Sequence, residues 1–293
     1  MKRNIRFFIF HFSFLMLLSA CDIINPEEDI PSFIEVMDFE LTTNLQTEGS
    51  NQHQINDVWA FVEGEALGVF ELPATIPILA TGNQTITLLA GIRENGLRST
   101  PVIYPFYERY EEVVNLVEGQ TITITPSINY VTNSVFELNE DFETSNLQLE
   151  GGIQRITTGG QIKEGAGAGR IQVGQTETEV VSIATFIDLP TAGNLPVFLE
   201  MDYQTNVELE VGLIGFNINS ADTNRSALFK VTLCPIDQWN KVYINFQEEL
   251  ALSQFSGYQL AFRTSTNDTG CGNIDTTNPE VLLDNIKLIR FQP

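Results

Sequence analysis

Positive charge and histidine are both scarce in this chain. Its 293 residues carry 15 Lys and Arg against 38 Asp and Glu. A polyanion is held by basic side chains that displace its counterions, so this balance excludes nucleic acid as a partner. Histidine occurs twice. Only His53 lies beyond the first 20 residues, flanked by Asn51, Gln52, Gln54 and Asn56 in a polar stretch that reads as solvated surface rather than the place for a general base. No Gly-x-Ser-x-Gly elbow occurs, and a Ser/His/Asp set would have to use that one loop histidine. Carboxylate pairs drawn from Glu63, Glu65, Glu248 and Glu249 leave glycoside hydrolysis as an alternative, yet among 38 acids such pairs arise by chance. A non-catalytic protein is expected.

The head of the chain is the most specific segment. Met1 to Ala20 holds Lys2, Arg3 and Arg6 and then an apolar run, Phe7 to Leu18, too short for a transmembrane helix. Leu18-Ser19-Ala20-Cys21 follows. This resembles the lipobox of bacterial lipoproteins, in which the cysteine is acylated and becomes the new N-terminus. The resemblance implies that residues 1–20 are a signal peptide and that Cys21 is the lipidated anchor. Each buried acyl methylene would add roughly 0.8 kcal/mol to membrane binding. Without the leader, 12 basic residues face 38 acidic ones, a net charge of −26, so the membrane link comes from lipid and not from basic patches. Residues 21–32, with Pro26, Glu27, Glu28, Asp29 and Pro31, read as an acidic tether. The acidic cluster resembles the export tag of Gram-negative surface lipoproteins and implies the outer membrane, facing the cell exterior, with the periplasmic face as the alternative.

Beyond the tether the pattern is period two with β-branched residues, and no helical stripe of length interrupts it. Asp57-Val58-Trp59-Ala60-Phe61-Val62, Gln84-Thr85-Ile86-Thr87-Leu88-Leu89 and Gly119-Gln120-Thr121-Ile122-Thr123-Ile124-Thr125 mark strands of a first domain over 33–132, expected as an immunoglobulin-like sandwich. Val62 to Pro73, with Gly82 and Ile86-Thr87-Leu88 after it, resembles small extracytoplasmic PEGA-like modules. A second set over 134–293, including Val207 to Val211, Trp239 to Phe246, Tyr258 to Phe262 and Val281 to Phe291, predicts a two-sheet jelly roll. The fold class is therefore all-β, two sandwiches in series. Gly165-Ala166-Gly167-Ala168-Gly169-Arg170 is no phosphate loop, because it runs straight into a strand where a dinucleotide fingerprint needs a helix.

Phe136-Glu137-Leu138-Asn139-Glu140-Asp141-Phe142-Glu143 opens the second domain and Val281-Leu282-Leu283-Asp284-Asn285-Ile286-Lys287-Leu288 closes it. The pair resembles the opening and closing motifs of jelly-roll carbohydrate-binding modules. That resemblance implies a surface glycan as ligand and a structural calcium on Glu143 and Asp284, with further oxygens needed to complete its shell. Aromatic faces suit sugar rings, and Trp239, Tyr203, Tyr243 and Tyr258 are the candidates in this domain. Tyr104, Phe106, Tyr107 and Tyr110 are those in the first. Cys234 and Cys271, in a chain bound for an oxidising compartment, are expected to form a disulfide. Two separate thiols stay open, while a metal site would lack half its ligands. The resulting expectation is a lipid-anchored envelope protein that binds glycan, the alternatives being an assembly subunit contacting other envelope proteins or a glycoside hydrolase.

Overall fold

A computed structural model describes residues 28–97, 101–174, 179–184, 195–217, 225–252, 255–266, 270–272 and 277–292. The leader, Cys21 and the start of the tether lie outside the described residues.

The first unit comprises β1 (Ser32–Val36), β2 (Glu40–Leu41), β3 (Asp57–Val62), β4 (Glu65–Glu71), β5 (Ala74–Ile78), β6 (Gly82–Arg93), β7 (Pro101–Ile103), β8 (Tyr110–Leu116), β9 (Thr121–Ile124) and β10 (Ser127–Ile128). Alternation works as the sequence predicts. In β1, Ser32, Ile34 and Val36 are buried while Phe33 and Glu35 between them are only partly so; in β5, Ala74, Ile76 and Ile78 point inward. One sheet runs β5-β1-β9, the other β4-β3-β6-β7 with β8 also along β6, and β10 pairs β2. Glu63 and Gly64 both take positive φ, as a two-residue turn between right-twisted strands requires, and so close the β3–β4 hairpin. The β1–β9 ladder is parallel. Parallel neighbours need not be neighbours in sequence, so alternation alone does not reveal this pairing.

The second unit comprises β11 (Ser134–Glu140), β12 (Leu149–Gly151), β13 (Ile153–Ile156), β14 (Ala168–Gln172), β15 (Glu179–Ala184), β16 (Val197–Thr205), β17 (Glu208–Phe216), β18 (Ser226–Leu233), β19 (Ile236–Asn245), β20 (Gly257–Ser265) and β21 (Glu280–Phe291), with one short helix, α1 (Gln247–Leu252). One antiparallel sheet runs β13-β14-β21-β16-β19 with β11 also on β21; the other runs β12-β15-β20-β17-β18. The chain passes repeatedly from one sheet to the other, which makes a jelly roll. Leu199, Met201, Val211, Leu260, Phe262, Leu283 and Leu288 fill the space between them. First and last strands lie side by side: β21 pairs β14 through Leu283 and, beyond Asn285, pairs β11 from Ile286 onward. Asn285 sits at a bulge with φ 48°, the left-handed region an asparagine tolerates.

The two units are not independent beads. Phe198, Tyr243 and Ile289, on the outer face of the second unit, belong to the apolar cluster of the first, beside Tyr104, Phe106, Tyr107 and Tyr130. The Asn95-Gly96 tip after β6 also covers the free edge of β19. Asn95 N donates to Tyr243 O at 2.7 Å, and Asn245 N donates to Asn95 Oδ1 at 3.1 Å. Pairing an edge in this way removes a site for unwanted strand addition.

Cys234 and Cys271 are bonded to each other across 37 residues of sequence. A loop of that length restricts the unfolded chain, and replacing both cysteines with serine is expected to lower the unfolding free energy by about 3–4 kcal/mol. Urea unfolding of the two forms measures it; coincident curves would contradict the expectation.

Candidate functional site

The outer face of the β13-β14-β21-β16-β19 sheet is ordered in cross-strand rows. Nearest the first unit, Phe136, Ile289 and Phe198 lie abreast, with Asn245 opposite Phe198. The next row is Asn139, Lys287, Glu200 and Tyr243. A third holds Asp284, Asp202 and Lys241. The fourth is Gln154, Arg170, Leu282 and Gln204, followed by Gln172 opposite Glu280. The first three rows lie under the first unit; Gln154, Arg170, Gln204, Gln172 and Glu280 remain partly or fully exposed.

The covered rows form a buried polar cluster. Glu200 is completely buried and accepts from Tyr104 Oη at 2.7 Å and from Tyr130 Oη at 3.0 Å. Lys241 Nζ lies 3.9 Å from Glu200 and 3.6 Å from Asp202, long ion pairs without a hydrogen bond. Lys287 Nζ donates to Ser50 O at 2.5 Å and to Tyr130 Oη at 3.2 Å. Asp202 accepts from Asn285 Nδ2 at 3.0 Å. Burial pushes the Asp284 carboxyl up to about 7, with the opposed Asp202 adding to the effect, and pulls the Lys287 ammonium down to about 8. The four tyrosines Tyr104, Tyr107, Tyr130 and Tyr243 are driven well above their ordinary range, first by burial and then by Glu200. His53 corrects the sequence reading. It is half-buried beside this cluster rather than solvated, and burial lowers its pKa.

Next to the cluster, one loop is held by acids from two sides. Glu143 accepts from Ala166 N at 2.8 Å, and Asp284 accepts from Glu164 N at 3.2 Å and Asn285 N at 2.9 Å. Glu140, buried at the end of β11, accepts from Phe142 N and Gln148 N. Arg155 donates to the carbonyls of Phe142, Glu143 and Ala166, so a cation of the chain itself occupies the oxygens between them. Calcium collects six to eight oxygens. Among the described residues no group of three or more His, Cys, Asp or Glu is placed to hold a metal ion.

The aromatic candidates fare differently from one another. Tyr258 is completely buried in the second unit's core, and Tyr243 is spent on the junction, its hydroxyl accepting from Gln54 N at 2.9 Å and lying 3.2 Å from Tyr107 Oη. Neither ring is offered to solvent, because both point into apolar layers that the strand alternation fills. Tyr203 is buried too, with its hydroxyl accepting from Asn240 Nδ2 at 3.4 Å. Tyr104, Phe106 and Tyr107, the densest cluster of the first unit, are likewise junction core: Tyr104 meets Phe198 and Tyr243 edge-on, Phe106 meets Phe198 edge-on, and Tyr107 packs edge-on against Tyr104. Trp239 alone stays half-buried on the outer face, against Leu282, Ala168, Ile156 and Ile162, with Nε1 buried and unpartnered.

The open rows are what remains accessible. Gln154, Arg170 and Gln172 border a hollow of about 400 Å³ that also includes Asn278 and Thr277. Gln204, Asp237, Glu280 and Leu282 border a smaller one of about 140 Å³. Arg170 has no ion pair among the described residues, and Glu280 accepts from Gln161 Nε2 at 3.2 Å. Amides, a guanidinium and a carboxylate held on a rigid sheet are groups that exchange hydrogen bonds with hydroxyls. These polar positions were missed in the sequence because each reads as an ordinary outward residue; only the register sets them abreast.

No family model and no curated protein matches the chain. Among solved structures it is similar to a xylan-binding domain from Paenibacillus barcinonensis (14% identity, 54% of this chain and 96% of that one, TM-score 0.37). It is also similar to a family 11 carbohydrate-binding module from Clostridium thermocellum solved with a mixed-linked tetrasaccharide (12%, 54% and 89%, TM-score 0.32). A third likeness is to a cleaved adhesin domain of Lys-gingipain from Porphyromonas gingivalis (14%, 52% and 96%, TM-score 0.35). Likenesses of this size assign the chain neither a family nor a ligand; the sandwich architecture stands on its own strands.

The perturbed groups set a pH dependence. The unfolded chain ionises Asp284 near its ordinary 3.8, whereas the folded chain holds that proton to about 7, so stability falls as pH rises between those values. Lys287 acts oppositely, releasing its proton near 8 when folded and at its ordinary 10.5 when unfolded, so stability recovers above pH 8. Asp284→Asn is expected to remove most of the fall between pH 4 and 7, which reaches up to roughly 4 kcal/mol in the wild type. Chemical denaturation across that range in the presence of EDTA reads it; identical slopes for the two proteins would contradict it.

Proposed function

We propose that this chain is a lipid-anchored protein of the outer membrane, exposed at the cell surface, that binds neutral glycan through the open half of its outer sheet face without acting on it chemically. One observation carries the binding role: Gln154, Arg170, Leu282 and Gln204 stand abreast across four strands, with Gln172 and Glu280 in the next row. Such a row presents donors and acceptors at strand spacing on a rigid support, with the half-buried Trp239 beside it supplying apolar surface for the sugar's C–H faces. Reading the anchor rests on the lipobox-like Leu18-Ser19-Ala20-Cys21. The net negative charge of the chain argues for a neutral polymer over an acidic one. Calcium has no part in the proposed contact, since Arg155 already serves the carbonyls beside Glu143.

In bacteria expressing the protein, radiolabelled palmitate is expected to mark the wild type and not Cys21→Ser. Affinity electrophoresis of the wild-type chain in detergent is expected to show retardation by a neutral polysaccharide, equal with calcium and with EDTA. Arg170→Ala or Trp239→Ala is expected to weaken retention about tenfold, the worth of one well-placed contact. An unlabelled wild type refutes the anchor, and retention untouched by either substitution refutes the strip.

A further inference from the structure

Where the first unit stops covering β19, a second recess opens. It measures about 410 Å³, within the span of small-molecule sites. One wall comes from the first unit, with Gln54, Asn56 and Arg93; the floor is β19 and its neighbour, with Asn240, Lys241 and the Tyr203 hydroxyl. Neither unit makes the recess alone.

Its chemistry is specific in two respects. Lys241 borders the recess, yet its ammonium is enclosed between Glu200 and Asp202 and is not open to it. What an incoming group meets instead are the side chains of Gln54, Asn56, Asn240 and Tyr203, which exchange hydrogen bonds with hydroxyls. The positive charges present are already matched. Lys241 sits between Glu200 and Asp202, and Arg93 lies 2.9 Å from Glu71 and 3.4 Å from Asp57. An anion would bring a further negative charge to a site with no cation left to meet it, in a molecule already strongly acidic. A neutral oxygen brings none.

We propose that the recess between the two units is a second binding site, which takes one neutral, hydroxyl-rich sugar residue whose oxygens exchange hydrogen bonds with Asn56, Asn240 and Tyr203. Ile236 lines both the recess and the small hollow beside Gln204, so the two lie next to each other along β19. A linear oligosaccharide lying on the strip then has its next residue within reach of the recess, and the first unit becomes part of the glycan site rather than a spacer. The inference extends the reading of the strip and makes a separate claim.

Isothermal titration of the full chain in detergent with cellotetraose, xylotetraose and mannotetraose, and with tetragalacturonate as the acidic probe, tests it. Asn56→Trp fills the recess from the first unit's side and leaves the strip untouched; Asn240→Ala removes a polar group without adding bulk and serves where the larger change disturbs folding. At least one neutral tetrasaccharide is expected to bind about tenfold more weakly to either variant than to the wild type. Affinities equal to wild type in both variants overturn the recess, and if Trp239→Ala loses binding in the same series the strip stands without it. Binding lost in the recess variants but intact in Trp239→Ala supports the recess and overturns the strip. A wild type that binds none of the neutral probes overturns both, and a preference for tetragalacturonate overturns the neutral class.

Discussion

Glu200 is the residue on which the arrangement of this molecule turns. Its carboxylate is completely buried between the two sandwiches, bonded by tyrosines of the first and faced by lysines of the second. A charge in that position is tolerated only while its partners stay in place, since breaking a buried ion pair from one side costs about 3–5 kcal/mol. Glu200, Asp202, Lys241 and Lys287 thus tie the outer face of one unit to the underside of the other. Apolar contacts through Phe198, Tyr243 and Ile289 supply the bulk of the adhesion, and the polar cluster supplies register.

That junction decides which part of the sheet face is free to act. A jelly roll standing alone would present the whole outer face of the β13-β14-β21-β16-β19 sheet. Here the rows through Phe198, Glu200 and Asp202 are covered, and what remains open is Gln154, Arg170 and Gln204, on either side of the buried Leu282, with Gln172 and Glu280 beyond them. The covered and open halves meet at Lys241, whose ammonium belongs to the buried cluster while the residue borders the recess.

Much of this fold was legible in the sequence, and the reasons for what was not are physical. Strand alternation in segments such as Ala74 to Ile78 reports which side faces a core, because one face is apolar and the other is wet. Placement of the first and last strands of the second unit side by side followed from the resemblance of their motifs, and the Cys234–Cys271 bond from the compartment. Alternation fails where both faces are buried. Val281 to Phe291 reads as a strand carrying Asp284, Asn285 and Lys287, and nothing local announces the bulge that brings Asp284 and Lys287 to one face or that this face is covered. The same blindness placed His53 in solvent and offered Tyr243 to a ligand. A tyrosine on an outer face looks identical in sequence whether a sugar or a second sandwich lies over it, and Tyr258, on a strand buried on both faces, belongs to the second unit's own core. Glu143 was singled out by its motif, yet the neighbouring Glu140 is the carboxylate that the fold buries.

If the buried cluster joins the units into one cooperative body, calorimetric unfolding of the full chain near neutral pH should show a single transition for both sandwiches, and Glu200→Ala should lower its temperature and separate it into two. Two resolved transitions in the wild type, or a Glu200→Ala protein that melts as the wild type does, would contradict the account.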